Sequence, residues 1–203
     1  MNTAAPPAPF RYAERLPHAS LAPRITCYWE FTAREESPRV HYVPPDGCTS
    51  LLVPTSGPHA GTLLYTGPWL DPHTVLVWPG ARFVGVRLRG GTAGVLQLPA
   101  ATLLNATYPA VHIGGARGRE LQHALARCLM GSDGLDRVAR ALDIFWMQQH
   151  ATFLAPDPVV HDAVNALVDS NGECTIAVVV RTVGCSDRTL LRRFRAATGL
   201  TPK

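Results

Sequence analysis

The feature that most narrows the fold of this chain lies near its carboxyl end, where Val183-Gly184-Cys185-Ser186 joins two stretches of helical periodicity. Ile176, Val179, Val180 and Val183 fall on one helical face before the turn. Leu190, Phe194 and Ala197 do so after it. A short glycine-containing turn between two amphipathic helices is the helix-turn-helix arrangement, and glycine supplies the left-handed backbone such a turn needs. Ser186 is suited to cap the helix that follows, which Gly199 closes. Cys185 falls where a small apolar residue packs into the angle between helices and reads as a buried structural thiol. Upstream, Asp157 is a good N-cap and Pro158 a good first helical residue. Val160, Val164 and Leu167 then share one face and Asp162, Asn165 and Asp169 another, until Gly172. The pattern predicts three short helices over 157–203.

The last of these helices has two chemistries. Its apolar face points to a core, while Arg188, Arg192 and Arg195 share a second face at the same spacing. From Arg181 to Arg195 there are five arginines against one acid, Asp187. The whole chain carries a formal charge of only +4, so the basic character is local. Arginine on a helix in the major groove can donate two hydrogen bonds to guanine or bind phosphate. Arg193 lies off that line beside Thr189, a position suited to a backbone contact. Charge spacing alone is equally met by a solvated basic face.

The stretch Ser186-Asp187-Arg188-Thr189-Leu190-Leu191-Arg192-Arg193-Phe194, followed by Thr198-Gly199-Leu200-Thr201-Pro202-Lys203, resembles the first helix-turn-helix of AraC-type regulators. The resemblance covers residues 157–203. More weakly, Tyr42-Val43-Pro44-Pro45-Asp46-Gly47-Cys48 and Gly85-Val86-Arg87-Leu88-Arg89 are similar to the amino-terminal sensor domain of one AraC subgroup. The family implies double-stranded DNA as partner, transcriptional control and often a small-molecule signal. It places Ser186, Arg188, Thr189, Leu191, Arg192, Arg193 and Arg195 at the DNA. Leu191 stands on the groove face where the family often has a polar residue; it can touch a thymine methyl but offers no hydrogen bond. Val180 stands where the family prefers alanine. The family pattern continues with a second helix-turn-helix, whereas the sequence stops at Lys203. The expectation is a sensor domain with the first half of the DNA-binding domain.

The region to about residue 115 reads differently. Leu51-Leu52-Val53, Leu63-Leu64-Tyr65, Val75-Leu76-Val77-Trp78 and 83–89 are apolar runs separated by proline- and glycine-rich turn clusters. Short strands at this spacing predict a small barrel or sandwich, and the resemblance implies a cupin-like barrel. Arg87 and Arg89 alternate with Val86 and Leu88, so both fall on one side of a strand. Inside a barrel they favour an acidic ligand; outside they are ordinary solvated charges. Trp69 and Trp78 are candidates to line a ligand pocket, although aromatic residues in strands are more often core. A short helical piece is expected around 99–105. Leu121, Leu125 and Leu129, then Leu135, Val138, Leu142 and Phe145, repeat at helical spacing on either side of a glycine-bearing break. They predict a helical hairpin that packs on the barrel or on a second subunit of a homodimer.

The predicted class is therefore α+β. A β-rich sensor domain occupies 1–115, a helical hairpin 116–152 and the truncated DNA-binding unit 157–203. The expected function is a sequence-specific DNA-binding regulator responding to a small-molecule effector. The alternative is a ligand-binding or protein-interaction module that does not bind DNA by itself. No enzymatic activity is expected: the chain has no nucleophile elbow, no phosphate-binding glycine loop and no H-E-x-x-H. The five cysteines form no C-x-x-C pair and the histidines no H-x-H, so no metal and no cofactor is expected. The proline-rich start lacks the form of a secretory signal and no stretch is long enough to span a membrane. A cytoplasmic protein with reduced thiols is expected.

Overall fold

The computed structural model describes residues 10–34, 39–92, 100–130, 134–153 and 156–202. Among these residues eight strands come first: β1 Phe10–Arg15, β2 Ile25–Ala33, β3 Arg39–Val43, β4 Thr49–Pro54, β5 Leu64–Thr66, β6 His73–Val77, β7 Arg82–Leu88 and β8 Thr107–Pro109. Six helices follow: α1 Ala110–Ile113, α2 Gly115–Met130, α3 Leu135–Phe153, α4 Pro158–Asp169, α5 Ile176–Val183 and α6 Asp187–Thr198. The expected helical piece near 99–105 is a 3-10 helix over Ala100–Leu103.

The strands form a six-stranded antiparallel sheet in the order β1-β2-β7-β4-β5-β8 and a separate antiparallel pair, β3-β6. Among the described residues the strands do not close into the small cupin-like barrel that the resemblance implies. Among the described residues β1 and β8 remain sheet edges, because β3 and β6 pair only with each other. The result is a mixed α+β fold with two β layers and a helical layer.

Alternation along the central strands separates two apolar compartments. On one face of the large sheet, Tyr28, Leu51, Val53, Val84, Val86 and Leu88 pack against α2 and α3 through Leu121, Leu125, Leu129, Val138, Leu142 and Trp146. Full burial of each such aliphatic side chain contributes about 1.5–3 kcal/mol. The hairpin stripe is thus spent within this chain. Two polar clasps hold it there. Tyr28 Oη donates to Asp143 of α3 at 2.8 Å. Gln122 of α2 accepts from the Leu63 amide and donates to the Gly61 carbonyl, both at 2.6 Å.

On the opposite face, Phe31 and Ala33 of β2 meet Val77 and Ala81 of the β6 strand and its turn in a smaller cluster. This contact tethers β3-β6 over the sheet at one end and leaves space between the layers at the other.

A third cluster forms the core of the carboxyl-terminal helices, from Val160, Ala163 and Val164 of α4, Val179 of α5, and Leu190 and Phe194 of α6. All but Ala163 are positions that the helical spacing selects, and the other selected positions, Leu167, Ile176, Val180, Val183 and Ala197, pack partly buried around them. No helix among the described residues is long and apolar enough to cross a membrane.

Candidate nucleic-acid interface and candidate ligand pocket

The three-helix unit is built from local chemistry at its helix ends. Asp157 accepts a hydrogen bond from the Val160 amide at 3.2 Å and Pro158 opens α4. Thr175 caps α5 and Ser186 caps α6, each accepting from the amide three residues on. Gly184, between α5 and α6, adopts φ 64°, ψ 35°. An L side chain pays a steric penalty there, and glycine does not. Cys185 is half-buried and packs on the helical core, as a structural thiol.

With Leu190 and Phe194 committed to that core, the rest of α6 faces outward. Arg188, Leu191, Arg192, Arg195 and Ala196 are exposed and line an open groove of about 490 Å³. Among the described residues the guanidinium groups of Arg188, Arg192 and Arg195 have no ion-pair or hydrogen-bond partner. Leu191, 47 % exposed, sits between them. Ser186 and Thr189 lie at the start of the same helix, where the Ser186 hydroxyl donates to Thr189 Oγ1 at 3.0 Å.

Arg193 is put to a different use from the expected backbone contact. Its Nε donates to Asp157 Oδ2 at 2.8 Å and its Nη2 lies 2.8 Å from Oδ1. This two-pronged contact ties α6 to the first turn of α4. Burial alone would raise the Asp157 pKa, but the hydrogen bonds from Arg193 and the Val160 amide outweigh it and hold the carboxyl below its ordinary value.

The sheet layers enclose a second candidate site, a cavity of about 800 Å³. Its floor is the face of β1, β2, β4 and β7 opposite the helices, and its roof is β3-β6. Trp29 lies across Gly85 of the neighbouring strand, to which it is paired in register. A Cβ on Gly85 would fall 2.6 Å from the indole, so glycine is what allows the ring to lie there. Trp69 stacks on His73 with ring centroids 3.8 Å apart, and His41 packs against both Phe10 and Phe31, which also touch each other. Burial lowers the pKa of both histidines.

The charged centre of this cavity is Arg87 on β7. Its Nη1 donates to Glu14 Oε1 at 3.0 Å, its Nη2 to Tyr12 Oη at 3.3 Å, and its Nε lies 3.3 Å from Asp46 Oδ2. Tyr12 in turn donates to Glu14 Oε1 at 2.5 Å. Burial and this acceptor raise the Tyr12 pKa, keeping the phenol protonated. Asp46 also accepts from the Cys48 amide at 2.9 Å.

The four sensor residues singled out by sequence separate in space. Arg87 and Trp69 line the cavity. Arg89 does not, because β7 ends at Leu88 and strand alternation no longer applies beyond it. Arg89 Nη1 instead donates to Asn165 of α4 at 2.5 Å, linking the sheet to the carboxyl-terminal three-helix unit. Trp78 is also outside the cavity, 48 % exposed at the turn after β6. Glu14, Trp29 and Tyr12 went unnoticed in the sequence. The alternation Tyr12-x-Glu14 was the available signal, but a six-residue edge strand with one polar face is weakly marked.

Residues 13–109 match a family described as a domain of unknown function, DUF6597. No curated protein matches the chain. Among solved structures, the crystal structure of the AraC-like transcriptional activator CuxR superposes with a TM-score of 0.32 at 11 % identity, over 91 % of this chain and 80 % of that one. That superposition is too loose to carry a functional inference. The sheet layers are thus similar to a domain family whose function is not known, and what the chain does has to be argued from its own residues.

Proposed function

We propose that this chain is a DNA-binding transcription regulator of the AraC type, without catalytic activity, that docks α6 in the major groove of double-stranded DNA. The observation that carries the reading is the pairing state of the α6 arginines. Arg193 is engaged by Asp157, while Arg188, Arg192 and Arg195 project from one exposed face with no protein partner among the described residues. Three unpaired guanidinium groups repel one another, and a polyanion relieves that repulsion. A capped helix of twelve residues with its apolar side buried in a helix-turn-helix frame has the shape that enters a groove. The motif resemblance over 157–203 supports the same reading. In this reading the cavity between the sheet layers holds a small-molecule effector, and a homodimer would present two such helices.

The test is fluorescence anisotropy of a labelled random-sequence duplex with the full chain at several salt concentrations. Three phosphate-directed arginines predict a slope of log K against log salt of about −3. The triple variant Arg188→Ala/Arg192→Ala/Arg195→Ala is expected to lose most of the binding while retaining the melting temperature of the parent. Absence of duplex binding at low salt, or binding that the triple variant retains, overturns the reading.

A further inference from the structure

Arg87 is more than neutralised where it lies. Two carboxylates, Glu14 and Asp46, face its single positive charge; Nη1 donates to Glu14 and Nη2 to the Tyr12 hydroxyl, while Nε lies at ion-pair distance from Asp46 without a hydrogen bond among the described residues. Both histidines of the wall have pKa values lowered by burial, so they add no positive charge at neutral pH. The ionised side chains that line the cavity therefore sum to about one negative charge. An anionic ligand would have to displace one carboxylate from Arg87 and then sit beside it. A cation meets the opposite situation. The carboxylate oxygens of Glu14 and Asp46 can each accept more than one hydrogen bond, and both residues line the open space.

The rest of the wall suits the same ligand. Trp29, Trp69, Phe31 and Phe83 all border the cavity, and aromatic faces attract a positive centre through their quadrupole. Trp29 Nε1 and His73 Nδ1, buried in residues of this wall, have no hydrogen-bond partner among the described residues. The indole N–H is a donor only, so it asks the body of the ligand, not its positive centre, for an acceptor atom.

We infer that the cavity binds an organic monocation, an amine or quaternary ammonium on an aromatic or aliphatic body, with its positive centre at Glu14 and Asp46 and its body against Trp29 and Trp69. This deepens the effector site of the proposed regulator and rests on that reading for its regulatory meaning. The binding chemistry stands or falls separately.

The experiment is isothermal titration of the full chain with four probes of one shape: 2-phenylethylammonium, its N,N,N-trimethyl analogue, neutral 2-phenylethanol and anionic 3-phenylpropionate. The two cations are expected to bind at least tenfold more tightly than the alcohol, and the anion not at all. Glu14→Gln/Asp46→Asn leaves Arg87 as the only charge, so cation affinity should fall at least tenfold and the anion should begin to bind. Selectivity among the four probes on the parent protein needs no variant and decides the matter even if the double variant folds poorly. Preference for the anion or the alcohol, or no heat from any probe, overturns the inference. Duplex anisotropy with and without 2-phenylethylammonium is a separate readout. Cation binding in a protein that ignores duplex keeps the ligand class and removes the regulator; duplex binding without cation binding does the reverse.

Discussion

Arg193 of α6 grips Asp157, the residue that caps α4, through Nε to Oδ2 and Nη2 to Oδ1, each 2.8 Å. One carboxylate thereby closes the start of the first helix and anchors the third. Asp157→Ala removes both functions, and loss of the cap alone costs about 1 kcal/mol. Arg193→Ala leaves the cap in place. Thermal melts followed by circular dichroism should place the Asp157 variant below the Arg193 variant. Because the folded carboxyl pKa is held low, its contribution is complete above the ordinary carboxylate pKa and disappears as pH falls through the folded value. Asp157→Asn should accordingly reduce the loss of stability in acid.

The same contact separates Arg193 from its neighbours in DNA binding. Arg192→Ala is expected to lower the magnitude of the salt slope for duplex binding by about 1. Arg193→Ala is expected to leave the slope unchanged while lowering the melting temperature. Anisotropy titrations at several salt concentrations measure both.

Gly85 lets Trp29 lie across the cavity floor. An alanine Cβ would sit 2.6 Å from the indole and 2.9 Å from the Leu51 carbonyl oxygen, so ring and neighbouring strand must both shift. Gly85→Ala should cost about 1–3 kcal/mol, the range of overpacking. It should also change the near-ultraviolet circular dichroism of the tryptophans. An unaltered spectrum and melt would show that the floor accommodates the methyl freely.

On α3, Trp146 is 0 % exposed and Ile144, two residues away, 56 %. Trp146→Ala should lose about 3–5 kcal/mol, and Ile144→Ala should stay within about 0.5 kcal/mol of the parent. Urea denaturation gives both values. A large loss for Ile144→Ala would indicate that this outer face is covered, as a homodimer contact through the hairpin would require.

Burial pushes the Cys27 thiol up to about 12 and Cys48 up to about 11. Both should react with iodoacetamide at pH 8 much more slowly in the native protein than in urea, because the thiolate is the nucleophile. Peptide mass spectrometry assigns the rates to each residue.

The parts of this fold that were readable beforehand are those with short-range causes. Asp157 and Ser186 each cap through an amide three residues away, and Gly184 and Gly199 end helices by their own backbone freedom. β4, β5, β6 and β7 announced themselves as apolar runs between turns. β1, β2, β3 and β8 did not, since an edge strand or a two-sided strand such as Ile25–Ala33 shows no clean alternation.

Sequence by itself determined the carboxyl-terminal helices, the apolar side of α6 and the spacing that gathers Arg188, Arg192 and Arg195, because helical geometry is a property of neighbours along the chain. Tertiary structure alone decided that the sheet stays open, that Arg193 is spent on Asp157, and that Arg89 meets Asn165. It alone placed Arg87 between Glu14, 73 residues earlier, and Asp46. The net charge of a cavity depends on which strands become neighbours, and that pairing is a choice among distant partners that local periodicity does not encode.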